Sequence, residues 1–114
     1  MKVIINFEPN DILKELLSLS GEWNFPFFPS IGEEVSPSLL EDWITPSQLY
    51  DALNESEKEV WNKWVNDEVE AGSTEEAAQW DNLHIWLGNL GTVVSGVSWS
   101  KLEGEYYVQI SLEH

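Results

Sequence analysis

The chain has 114 residues, with 21 Asp and Glu against five lysines and no arginine, a formal net charge of −16, and an apolar fraction of 42% that includes seven tryptophans. Five cations cannot neutralise a row of phosphates that 21 carboxylates repel, which excludes direct nucleic-acid binding, and without cysteine there is neither a disulfide framework nor a thiolate metal site. The apolar content is well above that of disordered chains and the length suits one domain, so a single acidic α+β domain over residues 1–111 is expected.

In chain order, Lys2 to Phe7 is β-branched and aromatic and stops before Pro9, the pattern of a strand. Its apolar residues fall on both faces, so an inner position in a sheet covered on both sides is expected. Before Glu8 and Pro9 the run is too short for a signal segment, and no later stretch has the length of a membrane span, so a soluble, cytoplasmic protein without membrane contact is the default. Asn10 or Asp11 is placed to cap a helix whose apolar side is Ile12, Leu13, Leu16, Leu17 and Leu19. Trp23 to Pro29 carries two prolines among its aromatics, which predicts an edge strand or an extended loop. Ile31-Gly-Glu-Glu-Val35 resembles the Gly-acidic turn that leads into a strand in many small SH3-like barrels; no function is carried over from those five residues.

Three helix starts follow. Thr45-Pro46-Ser47-Gln48 supplies an N-cap, a first-turn proline and a capping-box Gln, and Ser56 with Glu59 and Ser73 with Glu76 repeat the box. The apolar rows are Leu49, Tyr50 and Leu53; Val60, Trp61, Trp64, Val65 and Val69; and Trp80, Leu83, Leu87 and Leu90. Gly72 ends the second helix and Gly88 or Gly91 the third. Thr92 to Ser100, a turn at 101–104 and the alternation of Tyr106, Val108, Ile110 and Leu112 predict a hairpin. The expected fold is therefore α+β: a small, mostly antiparallel sheet from the N-terminal strand and C-terminal hairpin, packed with three to four helices from the middle of the chain. Leu112-Glu113-His114 has the form of an expression-tag junction, so 112–114 is expected to lie outside the domain.

Candidate functional residues follow from the same patterns. Helical spacing assigns Trp61, Trp64 and Trp80 to the core, leaving Trp23, Trp43, Trp86 and Trp99 for contact with a partner. Trp23, beside Phe25, Phe27 and Phe28, is the first candidate for an exposed aromatic platform, although a loop that folds its aromatics back on the sheet is the more ordinary outcome. Glu68 projects between Trp61 and Trp64; desolvated there, it is a general acid or cation ligand, and if the last turn clears the core it is an ordinary solvent-facing carboxylate. Ile85 lies opposite the third apolar row, so the helix is either covered on both sides or presents Ile85 and Trp86 to another molecule.

The pairs Glu33-Glu34, Glu41-Asp42, Asp67-Glu68 and Glu75-Glu76 read as solvated faces or helix N-terminal charge. Residues 66–76 miss the register of a calcium loop, His84 lacks partners for a metal or a triad, and no Gly-rich phosphate loop occurs. No catalytic, cofactor or metal residues are assigned. The leading expectation is a non-enzymatic, acidic protein-interaction domain that binds a basic protein partner, a description that fits inhibitor or immunity-type roles, with Trp23, Phe27, Trp43, Glu68, Ile85 and Trp86 as its candidate contacts. Two alternatives stand beside it: a phosphate-mimicking decoy of a nucleic-acid-binding protein, and glycan or small-ligand binding through exposed Trp and carboxylates, Trp23, Trp43 or Trp99 stacking on a ring.

Overall fold

A computed structural model describes residues 1–114. The order of elements is β1 (Lys2–Phe7), β2 (Ser18–Glu22), single 3-10 turns at Pro37–Leu39 and Glu41–Trp43, α1 (Pro46–Ala52), α2 (Glu55–Glu70), α3 (Glu75–Leu90), β3 (Val93–Leu102) and β4 (Glu105–Glu113). The α+β class is as expected, and none of the helices is long and apolar enough to cross a membrane.

The sheet runs β2-β1-β4-β3, antiparallel except where β1 lies parallel to β4. That parallel pair brings the two chain ends together and needs a long crossover, which the whole helical segment supplies. Its register sets Val3 beside Val108, Ile5 beside Ile110 and Phe7 beside Leu112, all six buried. Leu19 on β2 and Val94 on β3 widen this apolar face, and Leu49, Trp61, Val65, Leu83, Trp86, Leu87 and Leu90 from the helices, with Leu53 just after α1, close over it.

The opposite face is open, which corrects the expectation of a sheet covered on both sides. Ile4, Asn6, Gln109 and Ser111 are only half buried there. Asn6 Nδ2 donates to Gln109 Oε1 at 2.9 Å across the β1–β4 pair, and Asn6 Oδ1 accepts from the Ser18 hydroxyl. Side-chain amides and hydroxyls of this kind are what a half-wet sheet surface tolerates.

The helix expected from Ile12 to Leu19 does not form. The Asn10 side chain accepts from Ile12 N–H at 2.9 Å, an Asx turn that competes with capping a helix. Beyond it the main chain is used by tertiary partners: Asn54 N–H donates to Ile12 C=O at 2.9 Å and Lys14 N–H to Ala52 C=O at 3.0 Å. Leu19 then enters β2 opposite Ile5, so an apolar series that satisfies a helical period is spent on a turn, a bridge and an edge strand.

The helix starts follow local chemistry closely. Thr45 and Gln48 form the expected capping box ahead of α1, with Pro46 in its first turn. For α2 the cap is Asn54, two residues before the expected Ser56, and its Oδ1 accepts from Glu57 N–H at 3.0 Å. For α3 it is Thr74, one residue after Ser73, accepting from Ala77 N–H at 3.2 Å. Gly72, at φ +109°, lies two residues past the end of α2, after the C-cap Ala71, and Gly91 lies between α3 and β3. The hairpin turns on Glu103-Gly104, both with positive φ, the two-residue geometry that matches strand twist. Leu112 and Glu113, expected to lie outside the domain, belong to β4: Leu112 is fully buried opposite Val94, and Glu113 C=O accepts from Thr92 N–H.

Candidate functional site

The helical segment meets β2 through the 3-10 turn Glu41–Trp43. The Trp43 ring lies directly on Gly21 of β2, so close that a Cβ at position 21 would stand 2.5 Å from ring carbon Cε2. Trp23 meets the same ring edge-on, with centroids 6.3 Å apart. Trp43 is thus seated by the absence of a side chain at position 21 and by one aromatic neighbour, while part of its surface stays open.

Three clefts join along this surface. One of about 240 Å³ lies between Leu17 to Ser20, at the start of β2, and Trp43, Ile44 and Gln48. The next, about 300 Å³, shares those last three residues and adds Glu41, Asp42, Thr45 and Trp80. The third, about 420 Å³, shares Trp80 and is bounded by Pro46, Ser47, Glu75, Glu76 and Gln79. Together they make one groove from the β2 edge to the first turn of α3, floored by Trp43 and by Trp80, which is 40% exposed.

Four carboxylates, Glu41, Asp42, Glu75 and Glu76, stand along the groove, and none of its lining residues is a lysine. His84, one turn after Trp80 on α3, places Nδ1 2.6 Å from Glu41 Oε1 and ties α3 to the 3-10 turn. Glu75 Oε1 accepts a long 3.4 Å bond from Gln79, whereas Asp42 and Glu76 are exposed and form no ion pair within the chain. An aromatic floor flanked by unpaired carboxylates is suited to the aliphatic stem and cationic head of a Lys or Arg side chain.

The residues singled out from sequence are distributed unevenly around this groove. Trp43 lines it. Trp23 is not an exposed platform: it is 8% exposed, packs on Phe25, Phe28 and Trp43, and donates Nε1–H to Phe27 C=O at 2.9 Å. The prolines fold the loop back so that Trp23 is covered, and Phe27 at its tip is 82% exposed, away from the groove. Trp86 is likewise corrected from partner surface to core, 1% exposed and touching Trp61 and Trp64. In exchange Trp64 and Trp80, expected in the core, are half exposed.

The reason is the width of the α3 contact. This helix packs on both α2 and α1, so its buried stripe is Ala78, Asn82, Leu83, Trp86, Leu87 and Leu90, rotated from the row that begins at Trp80. Ile85 falls outside that stripe and is exposed, not covered. Trp80, the Glu41–His84 contact and the role of Glu75 and Glu76 were not assigned to a site from sequence; Trp80's place at the N-terminal end of its row was the one available signal.

Glu68 lies outside the groove, on the α2–α3 seam. It is half buried, its Oε2 is shielded from water with no hydrogen-bond partner, and the carboxyl is held above its ordinary range first by loss of solvent and then by the neighbouring Asp81 charge. It lines neither the groove nor the clefts along residues 6–18. No cluster of three or more His, Asp or Glu side chains is arranged to hold a metal ion. No family model matches the chain, and neither does a curated protein or a solved structure.

Proposed function

We propose that this chain is a non-enzymatic, acidic protein-interaction domain, inhibitor- or immunity-like in kind, that takes a Lys- or Arg-bearing segment of a basic partner into the Trp43–Trp80 groove. The observation that carries the reading is the juxtaposition of two half-open indole rings with four carboxylates, of which Asp42 and Glu76 form no ion pair, and no lysine in the lining. The net charge of −16 supports it, because a one-signed surface speeds encounter with an oppositely charged partner while the aromatic floor supplies the contact that persists.

The test is a fluorescence titration of a panel of Lys/Arg-rich and neutral dodecapeptides against the wild-type chain and an Asp42→Asn/Glu76→Gln variant. Exposed ion pairs contribute about 0.2–1 kcal/mol each, so removing two should cost about 0.4–2 kcal/mol, or roughly 2- to 30-fold in Kd. Equal affinity for neutral and basic peptides would remove the reading. The same rings also suit a sugar face, and a ligand from a glycan panel that binds without regard to salt would transfer the groove to that second reading.

A further inference from the structure

We infer that the outer edge of β3 is a self-association surface, where a second copy of this chain pairs antiparallel about a twofold axis at Trp99 and joins the two sheets into one of eight strands. Because Leu102 and Glu105 flank a two-residue turn, they form its closing hydrogen-bonded pair, and alternation from there aims the main-chain groups of Leu102, Ser100 and Ser98 at β4. Those of Lys101, Trp99 and Val97 point the other way. Further along, Val94 is already satisfied, its N–H donating to Glu33 C=O at 2.9 Å and its C=O accepting from Gly32 N–H at 2.8 Å. No segment of the chain does the same for Val97, Trp99 or Lys101.

These three positions are self-complementary. With Trp99 opposite its own mate, Val97 of each copy faces Lys101 of the other, and all the outward N–H and C=O groups at the three positions find partners. Edge strands are ordinarily blunted by charge, proline or a covering loop, and here the only charge is Lys101, whose ammonium lies 5.2 Å from the Tyr106 ring on its own hairpin. Trp99 is 61% exposed and backed edge-on by Phe28, so the pairing also covers aromatic surface.

Charge selects the occupant. The edge strand Val93–Leu102 carries one lysine and no carboxylate, in a chain that has 21 carboxylates in 114 positions; carboxylates border it at Glu103 in the turn and at Glu8, whose Oε1 accepts from the Ser95 hydroxyl at 3.1 Å. A basic partner finds no carboxylate at the pairing positions 97 to 101, whereas two bodies of charge −16 approach each other most easily along a strand segment that carries none. This surface is separate from the groove and does not depend on its function.

Sedimentation equilibrium and light scattering over a concentration series test it, using the full chain, Val97→Pro and Trp99→Glu. Proline at 97 removes only an outward N–H and leaves the bonds to β4 in place; glutamate at 99 sets two carboxylates face to face. The wild type should reach twice 13.1 kDa, at concentrations that fall as NaCl is raised from about 0.05 to 0.5 M because salt screens the mutual repulsion. Both variants should stay monomeric with an unchanged far-UV spectrum, and if one misfolds the other decides. A wild type that stays monomeric at millimolar concentration in high salt, or a dimer that survives in the folded variant, overturns the inference. Groove binding has the opposite salt dependence, so the two readings fail separately.

Discussion

Gly21→Ala puts the seating of Trp43 to a direct test. The added methyl would stand 2.5 Å from Cε2, 2.7 Å from Cδ2 and 2.9 Å from Nε1 of the Trp43 ring. Carbon atoms pack best at about 3.5 Å, so the ring must retreat by about 1 Å, the difference between 3.5 and 2.5. Overpacking of this kind costs about 1–3 kcal/mol, against about 0.4–1 kcal/mol recovered because alanine restricts the unfolded chain more than glycine does. The expected net loss is about 0–2.6 kcal/mol, read as a lower urea midpoint at unchanged slope. In a Trp43→Ala background the obstacle is gone, and Gly21→Ala should become neutral or stabilising. A Gly21→Ala variant that gains stability in the wild-type background would show that the ring does not lie on β2, and the groove would lose its floor.

Glu68 makes a prediction whose sign depends on pH. Its carboxyl is raised above 4.5 by desolvation and by Asp81, so the folded state holds the proton more tightly than the unfolded chain; the stability linked to that proton is fully present below about pH 4.5 and is lost as pH rises through the folded pKa. Glu68→Gln should therefore raise Tm at pH 7 and leave it nearly unchanged at pH 4; a lower Tm at pH 7 refutes the assignment. Removal of Leu112-Glu113-His114 deletes a fully buried leucine and the acceptors of Glu8 and Thr92 N–H. The side chain alone is worth about 2–5 kcal/mol, so the shortened chain should be strongly destabilised or unfolded by circular dichroism, and an unchanged Tm contradicts the register of β4.

Much of the fold is legible where one local signal has no competitor. The alternation of Tyr106 to Leu112, the Thr45–Gln48 box and the β-branched run of β1 each specify one structure, and each is found. Illegible parts are those decided by distant partners. Ile12 to Leu19 fits a helical period, yet Ala52 and Asn54 claim its main chain from 40 residues away. Trp80 and Trp86 share one helix, and only the angle at which α3 meets α1 and α2 determines which ring is buried. The groove itself joins residues 17–20, 41–48 and 75–80, so no single stretch of sequence carries it, although its charge was evident from composition.

The central claim is that Trp43, Trp80 and the carboxylates beside them hold a cationic segment. It is tested most directly by the salt dependence of binding for the tightest peptide from the Lys/Arg-rich panel, measured on the wild type and on Trp80→Ala. The account predicts that Kd rises steadily between about 0.05 and 0.3 M NaCl, and that Trp80→Ala weakens binding by about 10-fold or more at every salt concentration. Binding that ignores both salt and the loss of Trp80 would contradict it.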